Sequence, residues 1–210
     1  GLYMVSVDIH YIHGESLQKE SQQKLNLGEV SFTLPQLLNS YPDAKNIHLE
    51  LFMTQQVYRL KTESHDSKWL MVDAKTGRLL PEINENLATE IARFYYAGQH
   101  QIKNTRLIND KANKPSELSV RNLPAWQVQF DHFSSPTFYI SQQSGRVVTK
   151  RHDFWRLFDW MWRFHIMDYD DGQNVSNWFL LVIALSGLVS ALAGLVLTYV
   201  RVFKHKEVIS

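Results

Sequence analysis

Apolar positions along this chain fall into three spacings. Ile47, Leu49, Leu51 and Met53 recur at every second position, the period of a half-buried strand. Residues 57–61 and 69–73 read as further strands, 74–77 as a turn and 78–80 as a short return. From Glu82 to Ala97 the period lengthens: Ile83, Leu87, Ile91, Phe94 and Tyr95 share one helical face, with Gly98 as the C-terminal stop. A short helix is expected over residues 34–39, with Pro35 in its first turn. Residues 99–122 are polar and read as a linker. Alternation then returns at Trp126, Val128 and Phe130, followed by strands at 138–140 and 146–148 around a turn at 142–145. The fold class this predicts is α+β.

The third spacing is an unbroken apolar run. Residues 175–200 contain no Asp, Glu, Lys or Arg. That exceeds the roughly 20 helical residues that cross a bilayer core. Its position at the C-terminal end excludes a signal peptide. Arg201, Lys204 and Lys206 follow the run, whereas Asp168, Asp170 and Asp171 precede it. The positive-inside rule therefore places the tail 201–210 in the cytoplasm and the preceding region outside it. Trp178 and Tyr199 sit near the two ends, where interfacial aromatics belong. Ser186, Ser190, Gly194 and Thr198 repeat every four residues, a small-residue stripe suited to a second membrane helix. Residues 153–169 are crowded with aromatic rings but interrupted by Arg156, Asp159, Arg163 and Asp168. Such a stretch cannot span; it suits an amphipathic helix at the outer interface, its rings toward lipid or core. The apolar opening, residues 1–7, reads either as a strand or as the tail of a membrane helix.

The two strand-rich regions match at a fixed offset. Gly77 and Gly145 lie 68 residues apart, and Trp69-Leu-Met-Val-Asp-Ala-Lys-Thr-Gly-Arg-Leu-Leu80 aligns without a gap to Thr137-Phe-Tyr-Ile-Ser-Gln-Gln-Ser-Gly-Arg-Val-Val148. Repeat units are thus expected at 47–98 and 123–150, within an extracytoplasmic region 8–150.

An aliphatic-Asp-x-x-Thr-Gly-Arg-aliphatic turn at residues 70–80, followed by a helix, resembles the PepSY domain. The second copy, the aromatic run closing on His165-Ile-Met-Asp-Tyr169 and the apolar run after it resemble PepSY-associated transmembrane proteins. The resemblance covers nearly the whole chain. It implies duplicated antiparallel hairpin and helix units in the periplasm of a bacterium, anchored in the inner membrane. It also implies that Gly1-Leu-Tyr3 ends a first, truncated membrane helix, so that both termini are cytoplasmic. Members are linked to iron and siderophore uptake, and larger relatives are haem-bearing ferric-siderophore reductases. PepSY units also resemble part of the propeptides that inhibit metallopeptidases. The chain departs from the reductase pattern in having one visible membrane helix.

Composition narrows the chemistry. With 22 Lys+Arg against 21 Asp+Glu the net charge is +1, which argues against a nucleic-acid partner. The mean hydropathy of −0.28 averages a polar region and an apolar run. The absence of Cys removes thiol nucleophiles, thiolate metal sites and disulfides together. No HExxH, GxSxG, P-loop or GxGxxG motif is present, so no catalytic residue is assigned.

His165 is the sharpest candidate. A His in this setting is shared with the resembled family, and a neutral imidazole there can serve as an axial ligand of haem b. The competing reading is an interfacial His held by Asp168 or a backbone carbonyl. Asp8, His10, His13 and Glu15 carry metal-ligating chemistry, with His10 and His13 on one face only in a helix. Arg78 and Arg146 occupy equivalent turn positions, suited to an acidic partner, a lipid phosphate or a neighbouring carboxylate. Trp155, Trp160 and Trp162 suit membrane anchoring. The expected function is a membrane-anchored periplasmic binding or regulatory protein. Its partners would be the bilayer, a membrane helix along Ser186, Ser190 and Gly194, and a periplasmic peptidase or iron-uptake protein. The alternative is a haem b electron-transfer component of a ferric-siderophore reductase.

Overall fold

The computed structural model describes residues 9–12, 14–19, 24–63, 68–166 and 178–203. It is α+β, with seven strands in two antiparallel sheets among the described residues. The strands are β1 (Lys45–Phe52), β2 (Gln55–Lys61), β3 (Trp69–Asp73), β4 (Ile102–Ile108), β5 (Ala125–Phe130), β6 (Thr137–Ser141) and β7 (Val147–Arg151). The helices are α1 (Ile9–Ile12), α2 (Leu34–Ser40), α3 (Glu85–Tyr95), α4 (Asp153–Ile166) and α5 (Trp178–Phe203). The sheet orders are β1-β2-β3 and β4-β5-β6-β7. The chain divides into two units, Gly1–Arg156 and Leu157–Ser210. Residues 1–8, His13, 167–177 and 204–210 lie outside the described residues. So do the expectations placed there: the end of a first membrane helix, a ligand at His13, Asp168 beside His165, and the cytoplasmic lysines.

Both faces of the first sheet are covered. Tyr58, Leu60 and Val72 pack with Leu37 of α2 and with Ile47 and Leu49, as the period-two spacing requires. On the other face, Phe52, Val57 and Met71 join Val128, Phe130, Phe138 and Ile140 of the second sheet, with Ala88, Ile91 and Ala92 of α3 in the same core. Each large apolar side chain fully buried this way contributes about 1.5–3 kcal/mol. Two local devices start the helices. The Asn84 side chain accepts from the Leu87 N–H at 2.9 Å and caps α3, and the Gln36 side chain accepts from the Thr33 N–H at 2.7 Å ahead of α2. The Trp126 indole donates to the Ile83 carbonyl at 2.7 Å, fastening the approach to α3 onto β5.

The two hairpins share one register. Tyr58 faces Val72 and Leu60 faces Leu70; 68 residues on, Trp126 faces Ile140 and Val128 faces Phe138. The turns agree as well. The Asp73 N–H bonds the Arg78 carbonyl and the Ser141 N–H bonds the Arg146 carbonyl, both at 2.9 Å, with Gly77 at φ 72° and Gly145 at φ 62°. A side chain at either glycine would be strained by its φ and would also meet a ring, Phe32 or Phe52, within 2.6 Å of the new Cβ. The Asp of the turn motif has a physical role: its carboxylate accepts from the Lys75 and Thr76 N–H groups at 2.7 Å. Ser141 takes the same part in the second turn, accepting from the Ser144 N–H at 3.2 Å.

Three expectations change. The polar run 99–122 is not only a linker: residues 102–108 form β4, paired with β5 from Ile102↔Phe130 to Ile108↔Ala125. An edge strand with one covered face keeps many polar residues, which hides it from a hydrophobicity pattern. Met53 leaves the Ile47 face and opens the two-residue β1–β2 turn at φ 54°, the left-handed geometry that tight hairpins need. The return at 78–80 is a single bridge, Val72↔Leu79, where the second hairpin is followed by the whole of β7.

Among the described residues, one helix is long and apolar enough to cross a membrane, Trp178–Arg201, and none of it is buried.

Candidate functional site

The site follows from strand register. With Ile102 opposite Phe130, and the Gln101 carbonyl accepting from the Asp131 N–H at 2.8 Å, residues 96–101 run beside 130–134. Tyr96, just after α3, stacks on Phe130 with centroids 3.9 Å apart. The following backbone passes close over that ring: a Cβ on Gly98 would lie 2.5 Å from Tyr96. The result is a cleft of about 230 Å³ with the Tyr96 and Phe130 rings among its walls and Arg93, Gln99, His100 and Gln101 as its polar lining. Both rings are buried, so the accessible lining is mostly polar, and its amide, imidazole and guanidinium donors suit a carbonyl or carboxylate group.

Histidines extend the cleft into an arc of rings. His100 bonds the Tyr96 hydroxyl through Nδ1 at 3.0 Å, and its ring lies 4.3 Å from that of His132. His132 Nδ1 meets the Ser134 hydroxyl at 2.8 Å and the Ser134 N–H at 3.3 Å. Phe133, 77 % exposed, continues the arc to Phe154, which meets Tyr11 and His152. Among the described residues no group of three or more His, Asp or Glu is placed to hold a metal ion.

His152 is the buried end of this arc. It is 1 % exposed; Nε2 donates to the Tyr11 carbonyl at 2.8 Å, while Nδ1 is enclosed without a hydrogen-bond partner. Burial holds its pKa below the ordinary value, and Arg156 and Arg151 push the same way against the Tyr11 carbonyl and Asp153. The folded chain therefore binds this proton less readily than the unfolded chain. The His152 contribution is fully present above about pH 6.5, the ordinary His value, and is lost as the pH falls below it. Protection factors of the residue 9–12 amides, with the fall in intrinsic exchange rate divided out, should drop between pH 7.5 and 5.5, and His152→Gln should flatten that response. An unchanged pH profile in the variant would remove His152 as the cause.

A second polar cluster is built on the opposite face of the second sheet. Glu117, nearly buried, accepts from Arg156 Nε and Nη2 at 2.8 Å and from the Tyr139 hydroxyl at 2.5 Å. Arg156 also donates to Thr137 Oγ1 at 3.0 Å and Asp153 Oδ1 at 2.7 Å, which ties the first turn of α4 to β6. Burial, then Glu117, pushes the Tyr139 phenol well above its usual range.

The residues singled out by sequence are scattered. His165 is exposed on α4, its ring 6.4 Å from Trp162. His10 bonds Glu15 through Nδ1 at 2.9 Å, so these two of the four candidate metal ligands do meet. Arg146 takes the neighbouring-carboxylate reading, pairing with Glu50 at 2.6 Å, whereas Arg78 is exposed. Trp155 lies under Arg151, whose guanidinium carbon is 4.2 Å from the ring centroid. In α5 the hydroxyls of Ser186, Ser190 and Thr198 bond the carbonyls of Ile183, Ser186 and Gly194 at 2.8–2.9 Å, so the small-residue stripe satisfies its own polar groups. His100, His132, His152 and Glu117 carry no motif and were not singled out by sequence. Compared with protein-family models, curated proteins and solved structures, the chain matches none.

Proposed function

We propose that this chain is a membrane-anchored binding or regulatory protein of the PepSY type, held by α5, with the first unit on the extracytoplasmic side and the C-terminus in the cytoplasm. In this reading the cleft beside Tyr96 receives a carbonyl- or carboxylate-bearing partner, and iron or siderophore uptake is the setting that the resemblance implies. The observation that carries it is α5: an apolar helix in which none of residues 178–201 is buried. The common register of the two hairpins supports the PepSY part of the reading.

The test has two arms. The full chain should stay with membranes through an alkaline carbonate wash. Leu188→Arg together with Leu192→Arg should release it, at a cost of roughly 3 kcal/mol of insertion free energy per substitution. A photo-crosslinker at Gln99, used in native membranes, should give an adduct that Gly98→Val abolishes. Carbonate extraction of the unmodified chain would sink the anchor, and absence of any Gln99 adduct would sink the cleft as the binding site.

A further inference from the structure

The outward stripe of α4 is apolar. Leu157, Trp160 and Phe164 are 46 %, 65 % and 60 % exposed. At 3.6 residues per turn, positions 157, 160 and 164 fall on one narrow face. The Trp160 and Phe164 rings stack on that face with centroids 6.0 Å apart. The charged positions follow the same spacing one residue earlier, at 156, 159 and 163. Their charges are already answered: Arg163 Nε donates to Asp159 at 2.8 Å, and Arg156 binds Glu117. This helix therefore turns its bulky rings outward and uses its charges locally, the reverse of a helix built to face water.

Two features select lipid as the occupant. The face includes an exposed Trp stacked on Phe, the chemistry that collects at the junction of headgroups and acyl chains. It is also tethered to the bilayer by the chain itself: α4 ends at Ile166 and α5 starts at Trp178, which limits the separation to about 40 Å of fully extended chain. We infer that Leu157, Trp160 and Phe164 form a lipid-contacting stripe that lays α4 along the surface of the same membrane that α5 enters. The inference rests on the anchor reading of α5. It goes beyond that reading by naming which aromatic residues meet lipid, and it excludes Trp155, which Arg151 covers.

The Cys-free chain allows a clean test. Nitroxide labels are placed in the full chain, one at a time, through Leu157→Cys, Trp160→Cys and Phe164→Cys. Leu188→Cys in α5 and Glu90→Cys on the exposed side of α3 serve as references. The protein is reconstituted into phosphatidylcholine–phosphatidylglycerol vesicles. The expected result is that oxygen relaxes the three α4 labels severalfold more than a water-soluble nickel chelate does, as at Leu188→Cys and opposite to Glu90→Cys. Chelate-dominated relaxation at α4 with oxygen-dominated relaxation at Leu188→Cys would overturn the stripe and leave the anchor standing. Chelate-dominated relaxation at both would overturn both. Labels shielded from both reagents would mean that protein covers the face, and would also overturn the inference. As a measurement without labels, quenching of the native tryptophans by brominated acyl chains should fall in Trp160→Phe, and unchanged quenching would count against the stripe.

Discussion

Glu50→Ala should lower the stability of the full chain by about 3–5 kcal/mol, because it leaves a buried guanidinium with no counter-charge. Arg59 is 3 % exposed and lies in the middle of β2. Its Nη1 is 2.9 Å from Glu50 Oε1, a charge contact without hydrogen-bond alignment, and its Nε is enclosed without a partner. Burial pulls this guanidinium down to about 10; Glu50 opposes the shift and Arg146 adds to it. The other Glu50 oxygen holds Arg146 from the turn of the second sheet at 2.6 Å. One carboxylate thus serves a buried cation and a half-exposed one. Arg146→Ala should cost no more than about 1 kcal/mol, since that side chain is largely solvated. The double change Glu50→Leu with Arg59→Met should recover most of the loss, because a buried ion pair replaced by apolar volume is close to neutral. Denaturation midpoints in detergent, followed by far-ultraviolet circular dichroism, measure all three. A double variant no more stable than Glu50→Ala would show that the pair contributes something other than charge compensation.

The second large effect is expected at Glu117. Removing its carboxylate in Glu117→Ala orphans the Tyr139 hydroxyl as a donor and breaks the two-pronged contact to Arg156. The loss should be about 3 kcal/mol, toward the lower end for a broken buried pair, because Arg156 is partly solvated and keeps Asp153. Tyr139→Phe in the same background should then cost little more, since its bond to Glu117 is already gone. Additive losses would show that the tyrosine and the carboxylate act separately. The local readout differs from that of Glu50: amide protection should fall first in residues 153–156, where Arg156 fastens the start of α4 to β6.

Both carboxylates show how far sequence carried the reading. The strands other than β4 and the longer helices were legible because each repeats a period, the apolar run because no charge interrupts it, and the matched turns at Gly77 and Gly145 because their chemistry repeats. Glu50 looked like an ordinary outward position of an alternating strand. Its alternate face is covered because Phe52, Val57 and Met71 meet the second sheet there, a long-range fact with no local trace. Glu117 lay inside the polar run expected to be a linker, and its partners are 22 and 39 residues away. The histidine arc was hidden for the same reason. His100 meets His132, and Phe133 and Phe154 link that pair to His152, only once β4 pairs with β5 and β7 hands the chain to α4. His165 stood out instead because an aromatic-rich stretch is conspicuous in one dimension.

The core shared by the two sheets limits modularity. Matching hairpins suggest exchangeable parts, as in repeat arrays where one copy can be deleted or transplanted. Here the helix that would close the first copy supplies Ala88, Ile91 and Ala92 to a core that both sheets line. A chimaera cut between β3 and β4 would leave Phe52, Val57 and Met71 on one piece and Val128, Phe130 and Phe138 on the other, each facing water. The two hairpins must therefore be inherited, expressed and exchanged as one folding unit.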